Sequence, residues 1–575
     1  MLWSFLIVPT KLLLISSFYV HLSWFLLLSF FCFTSLFTSL FVSYYGCLYF
    51  SFSFLSSYPL NLSVRLFFDV FSCWFLFVVL FISSVIMVYS YFYISPYKKS
   101  SYFLVLTVLF VLSMCLVIVM SDLFFLMLGW DGLGLVSFFL IVYYQNQSSI
   151  FSGIFTLLMN RFGDGLFICT ISLYSLSFFG YYVFSSLLPS LLIVCFLVLT
   201  FITKRAIFPF SPWLPIAIAA PTPISALVHS STLVTSGLYL LIKFRYIIYS
   251  CYVVCFFLAS LCLFTSFYAG LNTIFEKDLK KLIALSTLRH LGFIGLSFSL
   301  GLLSLSFFHL LSHALFKSLL FIAIGDIIIN LGHSQDIRFL SSGSIYTPFS
   351  SVIMLVPILN LLGVPRLVGF FSKDLVLEAV NFTFLRFILY VVLLINLVFT
   401  FYYSFQLFYY SFSFNKFSPY SSFHSPLYLH SFLLLMLRRF SLVFGFFFLR
   451  NIAFSCIFIP VPLFIKFTPF IILGFVFVVL CYGLSLPTSK QQLANSYFSS
   501  IMFLYFFMTK FSSNLYYSFS FSFVKNIEIG FLNSFLNSTM PSFFFFVGSS
   551  FLRTSRFNPL YFLFFCLVSC SFFFV

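Results

Sequence analysis

The chain has 575 residues, 62% of them hydrophobic and only 7% charged. A soluble globule carries about 25% charged residues, so this composition excludes a soluble fold and sets the class as a polytopic membrane protein, expected all-α from its long apolar runs. Lys and Arg outnumber Asp and Glu by 28 to 11, a formal charge of +17. The basic residues stand singly or in pairs at the ends of apolar runs, as at Lys98-Lys99, Lys280-Lys281 and Arg438-Arg439. That excludes the clustered basic face that nucleic-acid binding needs.

Phe alone accounts for 97 residues. Leu or Val would serve bilayer solubility as well, so the excess points to T-rich codons and a small organelle genome. The 13 Cys are scattered through apolar runs. None forms CxxC, and the i,i+4 pairs Cys251/Cys255 and Cys566/Cys570 have no partner pair to complete a metal site. They read as small buried apolar residues. No cysteine pattern supports an iron–sulfur cluster, and no GxGxxG after a strand supports a nucleotide.

A helix needs about 20 apolar residues to cross a bilayer, which gives roughly 14 to 16 spans here. They are expected near 3–20, 24–45, 67–94, 101–120, 123–144, 149–173, 187–211, 222–243, 246–271, 281–304, 305–330, 349–371, 383–410, 428–450, 466–485 and 557–575. The first run lacks an Arg-rich amphipathic presequence and is expected to stay as a membrane helix.

Asp131 is the first chemical feature. It lies in LGWDGLGLVSFFLIVYY, Leu128 to Tyr144, with no other acid between Asp122 and Asp164. A charge at mid-bilayer costs on the order of 3 kcal/mol or more, so this acid is paired, near a surface, or needed. NRFGDG follows, with Asn160, Arg161 and Asp164. Arg161 and Asp164 read as a structural ion pair near a helix end, at i,i+3.

Two spans are interrupted. Lys204 precedes Pro209, Pro212 and Pro215 in TKRAIFPFSPWLP. Pro357, Gly363, Pro365 and Gly369 interrupt VPILNLLGVPRLVGFFSKD, which closes on Lys373-Asp374. Pro removes a backbone donor, and broken backbone persists in a bilayer only where protein or water satisfies it. Two broken spans, each with an intramembrane Lys, in corresponding places of two halves predict an inverted-repeat transporter. The repeats are expected over 101–243 and 246–410, after N-terminal helices in 1–100. Snorkelling is the alternative for both lysines, weakened by the adjacent breaks. A carboxylate about 7 Å from such a lysine interacts with it by roughly 2.4 kcal/mol at an effective dielectric of about 20. Moving one acid can therefore switch a buried Lys, and Asp131 is the candidate acid for Lys204.

His229 lies in APTPISALVHSSTLVTSGLYL, between the breaks. FHLLSHALFKS then sets His309, His313 and Lys317 at i, i+4, i+8. That spacing drifts by about 40° per step, so the three share one helix face. A zinc pair or two hydrogen-bonded core histidines are the alternatives. Lys317 would repel a metal, and no HExxH is present. A hydrated proton relay fits the face better. Additional spans are expected over 411–485. Residues 486–556 become interspersed with Ser, Asn, Lys and Gln and read as a lateral or interfacial helix, with 557–575 as a C-terminal anchor.

LGWDGLGLVSF, NRFGDG, SPWLPIAIAAPTPISALVHSSTLVTSGLYLLIKF, KDLKKLIALST, FHLLSHALFKSLLF and GFFSKD occur in one order. Over roughly 65–410 the chain closely resembles the chain 5 family of mitochondrial NADH:ubiquinone oxidoreductase, respiratory complex I. The resemblance implies an antiporter-like fold of two inverted five-helix repeats with two broken helices, and a lateral helix bracing other subunits. It implies a proton-translocating membrane-arm subunit in the mitochondrial inner membrane, beside the antiporter-like chain 4 and lipids. NADH, FMN, iron–sulfur clusters and ubiquinone are expected in partner subunits and none in this chain. By position, Asp131 matches the acid of the family's LGWEG motif, Lys204 the lysine of its GKSAQ-like motif, and His229 the histidine of its HSST. His309, His313 and Lys317 match its HxxxHxxxK face, and Lys373 the terminal lysine of its SKD. In the family these form a mid-membrane axis, with the acid and Lys204 as its gating pair.

There are two departures. Asp131 stands where the family usually has Glu. LRHLGF places Arg289-His290 where the family has a neutral SQLG-like run, adding charge near the axis or its mouth. A cation/proton antiporter subunit without redox coupling would share the axis and is the rival reading. A membrane brace with its own path lost is a third.

Overall fold

The computed structural model describes residues 13–57, 60–94, 100–178, 187–330, 332, 334–342, 347–380, 386–412, 428–452 and 463–483, with a few positions between 518 and 549. The chain divides into two compact units, Met1–Ser499 and Ser500–Val575. The helices, the hairpin and the polar site all belong to the first unit. Apart from those few positions, the lateral segment expected over 486–556 lies outside the described residues, as does the anchor expected over 557–575.

The apolar runs fold as helices because only an internally bonded backbone survives in lipid. They are α1 (Leu13–Tyr45), α2 (Val70–Ile94), α3 (Ser100–Val119), α4 (Leu123–Ile141), α5 (Gln147–Phe178) and α6 (Leu187–Arg205). Then come α7 (Thr222–Lys243), α8 (Tyr252–Phe275), α9 (Leu279–Ser299) and α10 (Leu303–Asn330). The series ends with α11 (Pro348–Leu362), α12 (Val368–Val380), α13 (Arg386–Phe412), α14 (Tyr428–Ile452) and α15 (Leu463–Gly483). Among the described residues, 10 helices are long and apolar enough to cross a membrane.

Two features differ from expectation. The described part of the expected spans 3–20 and 24–45 forms one continuous helix, α1. No loop is needed at His21, because its Nδ1 lies 2.9 Å from the Met87 carbonyl oxygen of α2. The second is an antiparallel hairpin, β1 (Leu48–Ser57) with β2 (Leu60–Phe68). FSFSF in β1 alternates apolar and polar residues at the strand period, a signal hidden by the surrounding Phe. Ser121 N donates to the Arg65 carbonyl at 3.0 Å, and Arg65 meets Asp122 at 3.7 Å, tying β2 to the start of α4.

The breaks set the site. At the first, α6 stops at Arg205 and Ala206 turns into positive φ, +58°. A short helix, Trp213–Ile216, and a 3-10 turn, Ala217–Ala219, lead to α7. Carbonyls freed here find protein donors: Trp213 Nε1 donates to Thr203 O at 3.0 Å, and Lys280 Nζ to Ala220 O at 3.3 Å. Ser225–Thr232 of α7 widens into a π-helix. Ser231 Oγ donates to Leu227 O at 2.9 Å and Thr232 Oγ1 to the same carbonyl at 2.6 Å, so hydroxyls serve the widened turn.

At the second break α11 ends on Gly363, whose φ of +74° is the left-handed cap that glycine accepts without a Cβ clash. The chain turns and α12 begins at Val368. Thus α12 runs to Val380, and Lys373-Asp374 lies inside it, where the sequence had the broken segment closing on that pair. A Cβ on Gly369 would fall on the Asn360 carbonyl, so glycine lets the two half-helices touch.

Gly369→Ala is expected to destabilise the fold by about 1–3 kcal/mol, because the obstacle is backbone. Thermal unfolding in detergent measures it. Glu276 gives a pH prediction. It lies in the turn between α8 and α9, is 4% exposed, and has one carboxyl oxygen without a hydrogen-bond partner among the described residues. Burial pushes its carboxyl up from 4.5 to about 7, Asp278 adding to the rise and Lys281 opposing it. The folded state therefore prefers the protonated acid, and stability falls as pH rises from 4.5 through about 7. Glu276→Gln is expected to leave the melting temperature nearly unchanged at the low end and raise it at pH 8, each kcal/mol recovered giving about 2–4 °C.

Candidate functional site: a buried polar axis

Asp131 stands near the middle of α4. Around it the sequence spends small residues on packing. A Cβ on Gly129 would lie 2.9 Å from a Val117 methyl, and one on Gly132 3.1 Å from Ser113 Cβ. The motif's glycines thus let α4 lie close against α3. Between them Trp130 packs its ring 5.8 Å from that of Phe167 on α5 and 5.9 Å from that of Phe201 on α6.

Lys204 arrives at the C-terminal end of α6, fully buried. Its ammonium donates to the Trp130 carbonyl at 2.5 Å and stands 3.7 Å from the centre of the Trp130 ring. A desolvated cation–π contact contributes about 2 kcal/mol. Lys204 has no direct ion pair with a carboxylate among the described residues. The charges that reach it are Asp164 first and Asp131 second. Asp131 instead meets Arg161 at 3.8 Å, and Arg161 meets Asp164 at 3.5 Å. One guanidinium thus bridges two acids. This revises two expectations: Arg161 and Asp164 sit in the interior of α5, and Asp131 faces Arg161 more directly than Lys204.

Arg205, not singled out in the sequence, is also fully buried. Its guanidinium donates to the Leu291 carbonyl of α9 and fills the space that a Cβ on Gly295 would take. His229 lies in the π-helical turn of α7, 1% exposed, with its ring 6.3 Å from that of Trp213.

The central group is on α10. His309, His313 and Lys317 are buried together. Lys317 Nζ donates to Ser286 Oγ of α9 at 2.5 Å. His309 Nδ1 is 2.9 Å from Ser372 Oγ of α12. Among the described residues, His313 has neither nitrogen bonded. The structure places Arg289 and His290, left near the axis or its mouth by the sequence, inside this group. His290 Nδ1 is 3.4 Å from His309 Nε2, and Arg289 donates to the Asn396 carbonyl of α13. Their charge and adjacency were the only sequence signal.

Lys373 ends the line. Its ammonium donates to Thr400 Oγ1 at 3.0 Å and to the Leu361 carbonyl, freed by the second break, at 3.2 Å. Asp374 is half-buried with its carboxylate beside the Gly363 turn. A cavity of about 20 Å³ adjoins Lys373, lined by Ser266, Arg289, His290, Phe293 and Asn396. That is space for one water molecule.

Ionisable side chains thus run from α4 through α6, α7, α9 and α10 to α12, inside a body of apolar helices. Groups of this kind can take up and hand on protons without leaving the membrane interior. The family profile described as NADH:quinone oxidoreductase/Mrp antiporter, membrane region, matches residues 120–400, which contain the whole line. The chain is 40% identical over 467 residues to NADH-ubiquinone oxidoreductase chain 5 of Locusta migratoria, covering 79% of this chain and 81% of that one. It is 42% identical over 362 residues to the chain 5 of Anopheles gambiae, covering 62% of each. Its fold is similar to a chain in the Mrp complex from Dietzia sp., with a TM-score of 0.68 at 22% identity over 83% of this chain and 56% of that one. It is also similar to a chain of the membrane-bound sulfane sulfur reductase, an archaeal respiratory membrane complex, with a TM-score of 0.63 at 20% identity over 77% of this chain and 96% of that one. With the site, the fold and these relatives in agreement, the chain belongs to the NADH-ubiquinone oxidoreductase chain 5 family.

Proposed function

We propose that the chain is a proton-translocating subunit in the membrane arm of an NADH:ubiquinone oxidoreductase of the mitochondrial inner membrane. The observation that carries the reading is the set of ionisable groups on successive helices around the two breaks, with Lys204, His229, His309, His313, Lys317 and Lys373 all buried and the half-buried Asp131 beside the first break. Electron transfer takes place in partner subunits that hold NADH, FMN, iron–sulfur clusters and ubiquinone. This chain contributes the proton path. Its neighbours are the antiporter-like chain 4 and membrane lipid.

In this reading Lys204 is the switch of the first half. Its ammonium rests on the Trp130 carbonyl and ring, while Arg161 holds Asp131 and Asp164. A shift of Arg161 frees a carboxylate to face Lys204 and stabilises its charge. The reverse shift lets Lys204 release its proton towards His229 and the α10 face. His309, His313 and Lys317 carry the proton across the centre, and Lys373 with Asp374 exchanges it at the far end. Moving one proton against 100 mV takes about 2.3 kcal/mol. Forming or breaking one buried pair at about 7 Å is of similar size, so a single pair per proton is an adequate switch.

Lys204→Met in the assembled complex is expected to preserve assembly and abolish proton translocation through this chain. ΔpH formation by proteoliposomes during NADH oxidation reads it. Unchanged translocation would leave the chain a structural brace. Native gels of the source membranes, stained for NADH dehydrogenase activity and probed for this chain by mass spectrometry, test the assembly. Migration in a smaller inactive band would favour an antiporter without redox coupling.

A further inference from the structure

His290 occupies a special place in the central group. It enters from α9, while His309 and His313 belong to α10. Its ring centre lies 5.6 Å from those of both. Both of its nitrogens face partners. Nδ1 is 3.4 Å from His309 Nε2, and Nε2 is 3.3 Å from the Tyr403 hydroxyl of α13. His309 in turn uses its second nitrogen on Ser372, at 2.9 Å. The result is an unbroken chain, Tyr403–His290–His309–Ser372.

The ends of that chain lie near the two lysines the axis must connect. On one side Lys317 bonds Ser286, and its ammonium stands 5.7 Å from the centre of the Tyr403 ring. Ser286 also approaches the Tyr403 hydroxyl. On the other side Ser372 is the residue before Lys373. Lys373 bonds Thr400, one turn of α13 before Tyr403, and shares a water-sized cavity with His290. His313, the other histidine on the α10 face, has no hydrogen bond at either nitrogen among the described residues.

We infer that His290 is a proton-relay residue joining the Lys317 side of the axis to the Lys373 side, through Tyr403 before it and His309 and Ser372 after it. The inference rests on the proposed proton path. Imidazole suits the task because it takes a proton on one nitrogen and gives one from the other. Starting with the proton on Nδ1, His290 gains one at Nε2 from Tyr403, whose hydroxyl is refilled from Lys317 through Ser286. It then loses the Nδ1 proton to His309 Nε2. One proton has moved forward and the ring is left as the other tautomer. Exchange with a water in the adjoining cavity restores it. The groups facing the ring are Arg289, Lys317, Lys373, His309, His313 and Tyr403, and among the described residues no carboxylate bonds it.

The test compares His290→Gln with Lys317→Met in the assembled complex, by protons translocated per NADH oxidised. Gln keeps a donor and an acceptor in the cavity but cannot carry a proton. Both variants are expected to assemble, with the ratio lowered in His290→Gln towards its value in Lys317→Met. A ratio equal to the unmodified complex for His290→Gln at every pH between about 6 and 8, with Lys317→Met impaired, would overturn the relay and leave the proposed function standing. An unimpaired Lys317→Met would overturn that function itself. A packing role alone would reduce assembly without changing the ratio. Should His290→Gln fail to assemble, Tyr403→Phe decides: removing only the hydroxyl is expected to lower the ratio, and an unchanged ratio would overturn the relay.

Discussion

Lipid offers no hydrogen bonds, and every feature of this molecule answers to that. A helix broken in the bilayer frees carbonyls that cost several kcal/mol each if left bare. An ammonium buried there needs oxygen around it. The structure meets both needs with the same contacts. Lys373 takes the Leu361 carbonyl freed at the second break, and Lys280 takes the Ala220 carbonyl freed at the first. Broken backbone and buried cation each make the other tolerable, so the polar axis and the helix breaks form one device.

The first half of the axis shows how charge is shared when donors outnumber acids. Arg161 stands between Asp131 and Asp164, while Lys204 relies on a carbonyl and the face of Trp130. A carbonyl dipole and a ring quadrupole hold an ammonium less firmly than a carboxylate would. They also keep it in place without committing an acid to it. Among the described residues Lys204 therefore feels the charge of two carboxylates without an ion pair to either. The aspartate at position 131 has a short side chain, and Arg161 extends from the next helix to reach it.

The second half is richer in cations and has a different solution. Arg289, Lys317 and Lys373 gather around three histidines, and serine, threonine and carbonyl oxygens take the hydrogen bonds. The imidazoles stand between the cationic side chains. Their ring nitrogens give the centre a hydrogen-bonded thread that ammonium groups alone could not provide.

The sequence by itself determined the class, most spans, the two breaks and the identity of nearly every polar group in the axis. It did so because in a bilayer-spanning chain charge and proline are rare enough to stand out one by one. Asp131, Lys204 and Lys317 are conspicuous against apolar neighbours, and the helical period of FHLLSHALFK puts its three polar groups on one face before any fold is known. Other features were hidden for local reasons. The hairpin's alternation was lost among phenylalanines, and the π-helical turn at His229 has no single-residue signature. Only the tertiary structure decided which groups meet: Asp131 with Arg161, His290 with His309 and Tyr403, Lys373 with Thr400. Each of those meetings joins different helices. Periodicity fixes a side chain's direction around its own axis, whereas the partner it finds depends on how neighbouring helices pack and where they break.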